Sequence, residues 1–206
     1  GNNLTDYQVL TTVDTASLIS TPIYELPISI LSTGTALTDY QIKINITNST
    51  ILSHITEDGR DIRFFNHSVS NPYSETFGKL NYWIENISDS ELIVWVKVDY
   101  IPASGGKTIY MYYGNSSATS ESNPHNTLLI YEDWSSGSLD GWTLRTTAPG
   151  YSASITTSQG NPPPAVIISG DNFASDYRQF IYKEISKPAG FGLRVIADHA
   201  GYHSYY

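Results

Sequence analysis

Apolar and polar residues alternate along much of this chain, and no other feature constrains its fold as strongly. From Tyr40 to Ile46 every second residue is apolar and the residues between are polar. Residues 92–98 also alternate, but Ile93 and Trp95 on the second face indicate a strand that is covered on both sides for part of its length. A period of two places alternate side chains on opposite faces of a β-strand. No long segment has the 3.6-residue apolar period of a helix, so the sequence predicts an all-β protein.

Turns rich in Gly, Pro, Asn and Asp separate the short predicted strands, as at Asp58-Gly59. This spacing is typical of an antiparallel β-sandwich module followed by a second, jelly-roll-like region. The strands are predicted at residues 24–30, 40–46, 62–65, 80–84, 92–98 and 108–113, and then at 128–134, 142–145, 151–157, 165–169, 177–185 and 191–197.

A small, polar segment at residues 116–126 is predicted to be a linker. It would separate a sandwich module at 21–115 from a jelly-roll region at 127–206 that is expected to be incomplete. Residues 1–20 precede the module and form a segment of their own, because they nearly repeat residues 34–53 without a gap.

The repeat shares the run LTDYQ, and pairs such as Val9 and Ile42 are conservative. Residues 34–53 are followed by further strands, whereas residues 1–20 are followed by the start of another strand at Tyr24. The chain is therefore expected to begin with a strand that has no sheet of its own, and such a strand needs an edge to pair with.

Two interpretations of this spare strand remain open. In the first, it is a donor strand that completes the sheet of a neighbouring copy, and a head-to-tail contact of this kind propagates as a filament. Its groove-filling face would consist of Tyr7, Val9, Thr11 and Val13. In the second, residues 1–20 are the remnant of a preceding tandem module.

Charge and composition exclude several functions. The net charge is −9 and the 11 basic residues are scattered, so nucleic acid is not an expected partner. The chain has no cysteine, which excludes disulfides and thiolate metal sites. No apolar run approaches the ~20 residues of a membrane span, and membrane insertion is not expected.

Six N-x-S/T sequons favour an extracellular, N-glycosylated surface protein. The alternative is chance, since a chain rich in Asn, Ser and Thr generates such triplets freely. The sequon asparagines are Asn3, Asn45, Asn48, Asn66, Asn86 and Asn115.

Acidic turns are candidate calcium sites, because carboxylates are the hard oxygen ligands that this ion prefers. Ordinary turn chemistry is the competing explanation. The candidate ligands are Asp58, Asp61, Asp133 and Asp140. His199 and His203 have a metal-ligand spacing, but they lie in a predicted turn, where the two rings need not converge.

Trp134 and Trp142 are candidate sugar-stacking residues, whereas the alternating Trp83 and Trp95 are expected to serve core or subunit packing. The carboxylates near Trp134 could in principle cleave glycosidic bonds. Loop chemistry explains them better, and no nucleophile or phosphate-loop motif occurs, so an enzyme is not expected.

Between Tyr24 and Trp134 the words LTDYQIKI, DGRDIRFF, NYWIENI, VWVKVDYIPASGGKTIYMYYGN and SATSESN resemble a family of prokaryotic surface modules, the domain of unknown function 2341. The sequence departs from that pattern at Asp99, where proline is usual. The resemblance implies a small all-β module of large secreted or cell-surface proteins, archaeal ones included, and it implies no catalytic residues. YEDWSSGSLDGW and FGLRVIADHAGYHSYY are similar to parts of a concanavalin-like jelly roll.

Together these features predict a structural subunit of an extracellular, pilus-like filament or sheath. Its partners would be copies of itself, joined by strand exchange, and covalent N-glycans, and no cofactor is expected unless calcium binds. The alternative is a carbohydrate-binding or adhesive module of a large cell-surface protein.

Overall fold

A computed structural model describes residues 23–32, 34–146, 150, 152–158, 163–169 and 179–184. The chain divides into two compact units, residues 1–131 and 132–206. Apart from two short helices, the regular structure of the described residues consists of strands that pair antiparallel, which confirms the predicted all-β fold class. Asn3, the donor-strand residues Tyr7, Val9, Thr11 and Val13, and His199 and His203 lie outside the described residues.

Six strands of the first unit form two three-stranded antiparallel sheets. They are β1 (Tyr24–Ile30), β2 (Leu37–Ile46), β3 (Arg63–Phe65), β4 (Tyr82–Ile87), β5 (Leu92–Ile101) and β6 (Lys107–Tyr113). Sheet A has the order β1-β6-β3 and sheet B the order β2-β5-β4. The central strands β5 and β6 are therefore the last two strands of the sandwich along the chain.

The core lies between the sheets and follows the alternation in the sequence. On β5 the even-numbered residues from Leu92 to Val98 are fully buried, and the residues between them face away from the core. Ile109 and Met111 on β6 and Phe64 on β3 face them from sheet A and are also fully buried. Burying such side chains contributes about 1.5–3 kcal/mol each.

One short helix closes an end of the sandwich and was not predicted. Helix α1 (Ser49–Leu52) begins at Asn48, whose side-chain oxygen accepts hydrogen bonds from the backbone N–H groups of Thr50 and Ile51. This is an N-cap, which satisfies N–H groups that have no partner within the helix. Ile51 and Leu52 enter the core. A period of 3.6 residues cannot be recognised in four residues.

The outer face of sheet A is covered by the loop at residues 66–78. Phe65 and Tyr112 point to this side, yet they are only 0% and 2% exposed. The Tyr112 hydroxyl accepts a hydrogen bond of 2.7 Å from the Val69 backbone N–H. This third layer explains why apolar residues follow one another without alternation in β3 and at the end of β6.

The segment predicted as a linker, residues 116–126, belongs to the first compact unit. Helix α2 (Pro124–Thr127) is capped by Asn123, and Thr127 is fully buried. The boundary between the compact units falls after Tyr131 rather than in residues 116–126. Small polar residues suit a linker, but they equally suit a segment that hydrogen-bonds to a neighbouring strand.

The second unit contains two separate antiparallel pairs in its described part. Strand β7 (Thr143–Thr146) pairs with β10 (Gln179–Tyr182), and β8 (Ser152–Thr156) pairs with β9 (Ala165–Ser169). The strand predicted at residues 128–134 is wrong, because no strand forms there and Trp134 has a φ of +59°. Within the described ranges, no helix is long and apolar enough to cross a membrane.

Candidate functional site

One side of the sandwich is sealed at both sheet edges. The rings of Phe64 on β3 and Tyr82 on β4 lie 5.3 Å apart, which places these two strands on the same side. The outer edge of β3 is covered by residues 78–80, because the Leu80 N–H donates to the Phe64 carbonyl at 2.8 Å.

The outer edge of β4 is covered in a similar way by the segment after β6. The Asn123 N–H donates to the Tyr82 carbonyl at 2.8 Å, and the Ile84 N–H donates to the Ser122 hydroxyl at 2.9 Å. An edge that is already hydrogen-bonded cannot accept a further strand. The β3–β4 side is therefore closed to additional pairing.

The opposite side, formed by β1 and β2, is open. Within residues 23–32 and 34–146, no strand pairs with the outer edge of β1 or of β2. Ten partly buried apolar residues pack against the core, and eight of them lie on these two strands. The eight are Tyr24, Leu26, Ile28, Ile30, Leu37, Tyr40, Ile42 and Ile44. We call this face the open side.

The two edges of the open side are not equivalent. β1 carries Pro27 at its centre, and proline has no N–H with which to bond a neighbouring strand. A proline within a strand is confined to the edge, with its nitrogen turned away from the existing partner. A new strand along β1 would therefore miss one hydrogen bond, whereas β2 contains no proline.

The repeat in the sequence aligns with the core-facing residues of β2. An offset of 33 residues relates Tyr7, Val9, Thr11 and Val13 to Tyr40, Ile42, Ile44 and Ile46. The latter four belong to the core cluster or pack against it. The predicted donor face therefore corresponds position by position to side chains that already fill this sandwich.

An open cleft of about 580 Å³ lies at the end of β1, beside the turn between β5 and β6. Leu31 in its wall is 85% exposed. The Ser32 hydroxyl donates to the Pro102 carbonyl and accepts from the Gly106 N–H, at 2.7 and 2.8 Å, and so holds this turn to β1.

Asp61, predicted as a calcium ligand, is a buried structural carboxylate. Its Oδ1 accepts hydrogen bonds from the N–H and hydroxyl of Thr56 at 3.0 and 2.6 Å, and its Oδ2 accepts from the Gly114 N–H at 2.6 Å. Asp58 is exposed and pairs with Arg60. The described residues contain no group of three or more His, Asp or Glu side chains that could hold a metal ion.

The buried Arg63, which was not singled out from the sequence, joins β3 to the segment that follows β6. It is 3% exposed, and its guanidinium donates to the carbonyls of Arg60, Ile62 and Thr119 at 2.6–3.0 Å. Its charge also faces the ring of Tyr73 at 5.2 Å. The only signal for this role was a basic residue between apolar ones in DGRDIRFF.

The five described sequon asparagines differ in their surroundings. Asn45, Asn48 and Asn86 are exposed, whereas Asn66 and Asn115 are half-buried. The amide of Asn66 donates to Asp99 at 2.8 Å and its oxygen lies 2.6 Å from the His67 ring nitrogen Nδ1. Asp99, the departure from the family pattern, therefore holds Asn66, and it also pairs with Lys107.

Trp83 and Trp95 lie on the outer face of sheet B and not in the core. They are directly paired across β4 and β5, and both are half-buried. The Trp95 indole N–H donates to Glu85 at 2.6 Å, and the Trp83 ring packs 5.4 Å from the Tyr131 ring.

In the second unit, the predicted sugar-stacking residues lie together. The rings of Trp134 and Trp142 are 5.6 Å apart at 57°, and the Trp142 indole N–H donates to Glu132 at 3.0 Å. Asp133 and Asp140 take part in turns instead. Asp133 accepts a hydrogen bond from the Ser135 N–H, and hydrogen bonds from Ser136 and Ser138 hold the pKa of Asp140 below its ordinary value.

The geometry of the first unit defines an all-β sandwich with one side left open among the described residues. Residues 58–145 match a family model described as Domain of unknown function (DUF2341). This match confirms the resemblance for that part of the chain, which runs from the Asp58 turn to β7. No curated protein and no solved structure matches the chain.

Proposed function

We propose that this protein is a structural subunit of an extracellular, N-glycosylated filament or sheath, in which residues 1–20 of one copy complete the open side of the next. The observation that carries the proposal is the correspondence between a sandwich edge that no described strand pairs with and a second copy, in the sequence, of the strand at that edge. Strand addition of this kind gains main-chain hydrogen bonds along the edge and side-chain contacts in the groove.

The acceptor is the outer edge of β2. No proline interrupts the row of outward-facing N–H groups on β2, whereas Pro27 interrupts the edge of β1. Tyr7, Val9, Thr11 and Val13 then point between the sheets and cover the partly buried residues of the open side. Because donor and acceptor occupy different parts of the chain, the contact is head-to-tail and extends without limit unless it closes into a ring.

Deletion of residues 1–20 tests this function. We expect the 206-residue chain to form polymers visible by electron microscopy, and the deletion variant to remain monomeric in light scattering with its sandwich intact. A labelled peptide of residues 1–20 should bind the deletion variant, whereas a scrambled peptide should not. Polymers formed by the deletion variant, or a full-length chain that stays monomeric, would refute the proposal.

A carbohydrate-binding module of a larger surface protein is the second candidate. It is supported by the Trp134–Trp142 pair with Glu132 at its edge, and by the resemblance of the second region to a concanavalin-like jelly roll. Glycan-array binding by the full chain that is lost in Trp142→Ala, but kept in Trp83→Ala, would favour this function over the structural one.

A further inference from the structure

The outer face of sheet B carries an apolar patch that contributes nothing to the core. On β5, Ile93 and Trp95 point to this face and are half-buried, and Trp83 on β4 lies beside them. Lys43 reaches across from β2, with its ammonium 5.9 Å from the Trp95 ring centroid. A contiguous apolar patch on an exposed sheet face usually marks a place where another molecule or group binds.

Two sequon asparagines flank this patch in one row of the sheet. Asn45 on β2 and Asn86 on β4 are both paired with Ile93, one from each side, and both are exposed. Neighbouring strands are 4.7–4.9 Å apart, so the two asparagines stand on either side of Ile93 at about 10 Å from each other. Neither the spacing nor the shared row is visible in the sequence.

The two asparagines differ in how freely their amides can be modified. The Asn45 amide donates to Glu91 at 3.0 Å. Asn86 follows a bulge, where the register shifts between Ile84 and Asn86, and no hydrogen bond of its side chain occurs among the described residues. Asn66 is the opposite case, because its amide and its oxygen both have partners in a half-buried position.

We propose that Asn86 carries an N-linked glycan whose first sugars lie on Ile93 and Trp95. A directly paired residue has its Cβ about 4.5–5.5 Å away and a diagonal one about 7–8 Å away, which is within reach of a sugar ring on the Asn86 amide. The C–H face of a sugar ring packs on apolar and aromatic surface. This inference rests on the extracellular, glycosylated part of the proposed function.

The modification requires an activated sugar from outside the chain. A lipid-linked glycosyl phosphate supplies it: the bond from the anomeric carbon to the phosphate oxygen breaks, and a bond from that carbon to Nδ2 of Asn86 forms. Nδ2 gives up one proton, and the lipid phosphate leaves with the electron pair. The Asn86 oxygen is not consumed and stays available as an acceptor.

The test uses the full chain secreted from a host that performs N-glycosylation, with glycopeptide mass spectrometry at each sequon. We expect the highest occupancy at Asn86, lower occupancy at Asn45 and the lowest at Asn66. Enzymatic removal of the glycans should lower the Tm by about 2–4 °C, because the loss of one ordinary stabilising contact produces a shift of this order in a chain of 150–250 residues. That shift should shrink at least twofold in Trp95→Thr and in Ile93→Thr, two variants that alter the outer face only.

The outcomes separate this inference from the proposed function. Occupied sequons elsewhere with Asn86 unmodified would overturn the inference alone, while an absence of glycan at every sequon would overturn it together with the glycosylation part of the proposed function. An occupied Asn86 whose thermal shift is unchanged in both outer-face variants would overturn the packing of the sugars on Ile93 and Trp95. Polymer formation is measured separately and bears on none of these results.

Discussion

The guanidinium Nε of Arg63 lies 3.0 Å from Oε1 of Glu121 and makes no hydrogen bond of good geometry, so the two charges interact electrostatically. Through this pair, β3 is tied to the segment that covers the edge of β4. Lys79 binds the same Glu121 oxygen at 3.1 Å. Glu121, which follows the last strand of the sandwich, thus joins β3 to the connection that precedes β4.

Replacing Arg63 by lysine is expected to destabilise the first unit by about 2–4 kcal/mol, because a lysine cannot reach the three carbonyls that the guanidinium bonds. Urea unfolding measures the change. Arg60→Lys is the matched control, since Arg60 pairs with Asp58 at the surface and its replacement should change stability by less than about 0.5 kcal/mol. Equal effects of the two substitutions would contradict the structural role of Arg63.

The protein is expected to lose stability in alkaline solution. Burial raises the pKa of Tyr82 to about 12 from its ordinary value of 10. The folded state therefore keeps this proton more tightly, so the stabilisation is complete below pH 10 and is lost as the pH rises from about 10 to about 12. Two pKa units correspond to roughly 2–3 kcal/mol.

Tyr82→Phe provides the control for this alkaline loss. The variant lacks the phenol and should show a shallower fall in stability above pH 10, although it also loses the hydrogen bond to the Ile62 carbonyl, worth about 1 kcal/mol at neutral pH. Chemical unfolding followed at several pH values measures both effects. An unchanged slope in the variant would show that other groups cause the loss.

The same substitution should have different effects in the two copies of the repeat, on stability in one and on polymer formation in the other. Ile42→Asp places a charge at the edge of the core and is expected to destabilise the sandwich by about 2–4 kcal/mol. Val9→Asp, at the equivalent position of residues 1–20, should leave the unfolding midpoint unchanged but abolish polymer formation. Thermal unfolding and light scattering distinguish the two, and a Val9→Asp chain that still polymerises would exclude strand exchange through that face.

Asp99 should stabilise the protein at neutral pH and not in acid. Burial would raise the pKa of this carboxyl, but hydrogen bonds from Lys107, Asn66 and the Tyr100 N–H outweigh burial and hold the pKa below its ordinary value of 3.8. The stabilisation is therefore present above pH 3.8 and is lost as the pH falls through the lower, folded-state pKa. Because Asp99 is 46% exposed, solvent limits its size to less than about 1 kcal/mol. Comparing Asp99→Asn with the parent at pH 7 and at pH 2.5 measures it, and an equal difference at both would contradict this assignment.

Strands could be predicted where one of their two faces is buried, because apolar residues then recur at every second position. The alternation in residues 92–98 predicted β5, and its burial follows the same period. Trp83 and Trp95 show the limit of predicting burial from alternation. A period of two separates the faces of a strand but does not say which face meets the core when both carry large apolar residues.

The open side could be predicted only in part. The repeat indicated a spare strand, but the edge that lacks a partner depends on which strands are central, and that order is set by pairings such as Tyr24 with Tyr113. The covering of β4 by residues 122–123 was also hidden, because Ser122 and Asn123 act through a hydroxyl and a backbone N–H rather than through apolar side chains.

The central position of β5 and β6 determines when this module can fold during synthesis. Among the described residues β1 pairs only with β6 and β2 only with β5, so neither strand has one of these partners until residues 92–113 have been made. Contacts between residues so distant along the chain form slowly. A nascent chain therefore leaves the ribosome with two similar segments, residues 1–20 and 34–53, that both precede the single β5 with which β2 pairs. We expect the choice between them to be made while the chain folds, so that the rate of folding decides whether residues 1–20 remain available to another copy, as the proposed function requires.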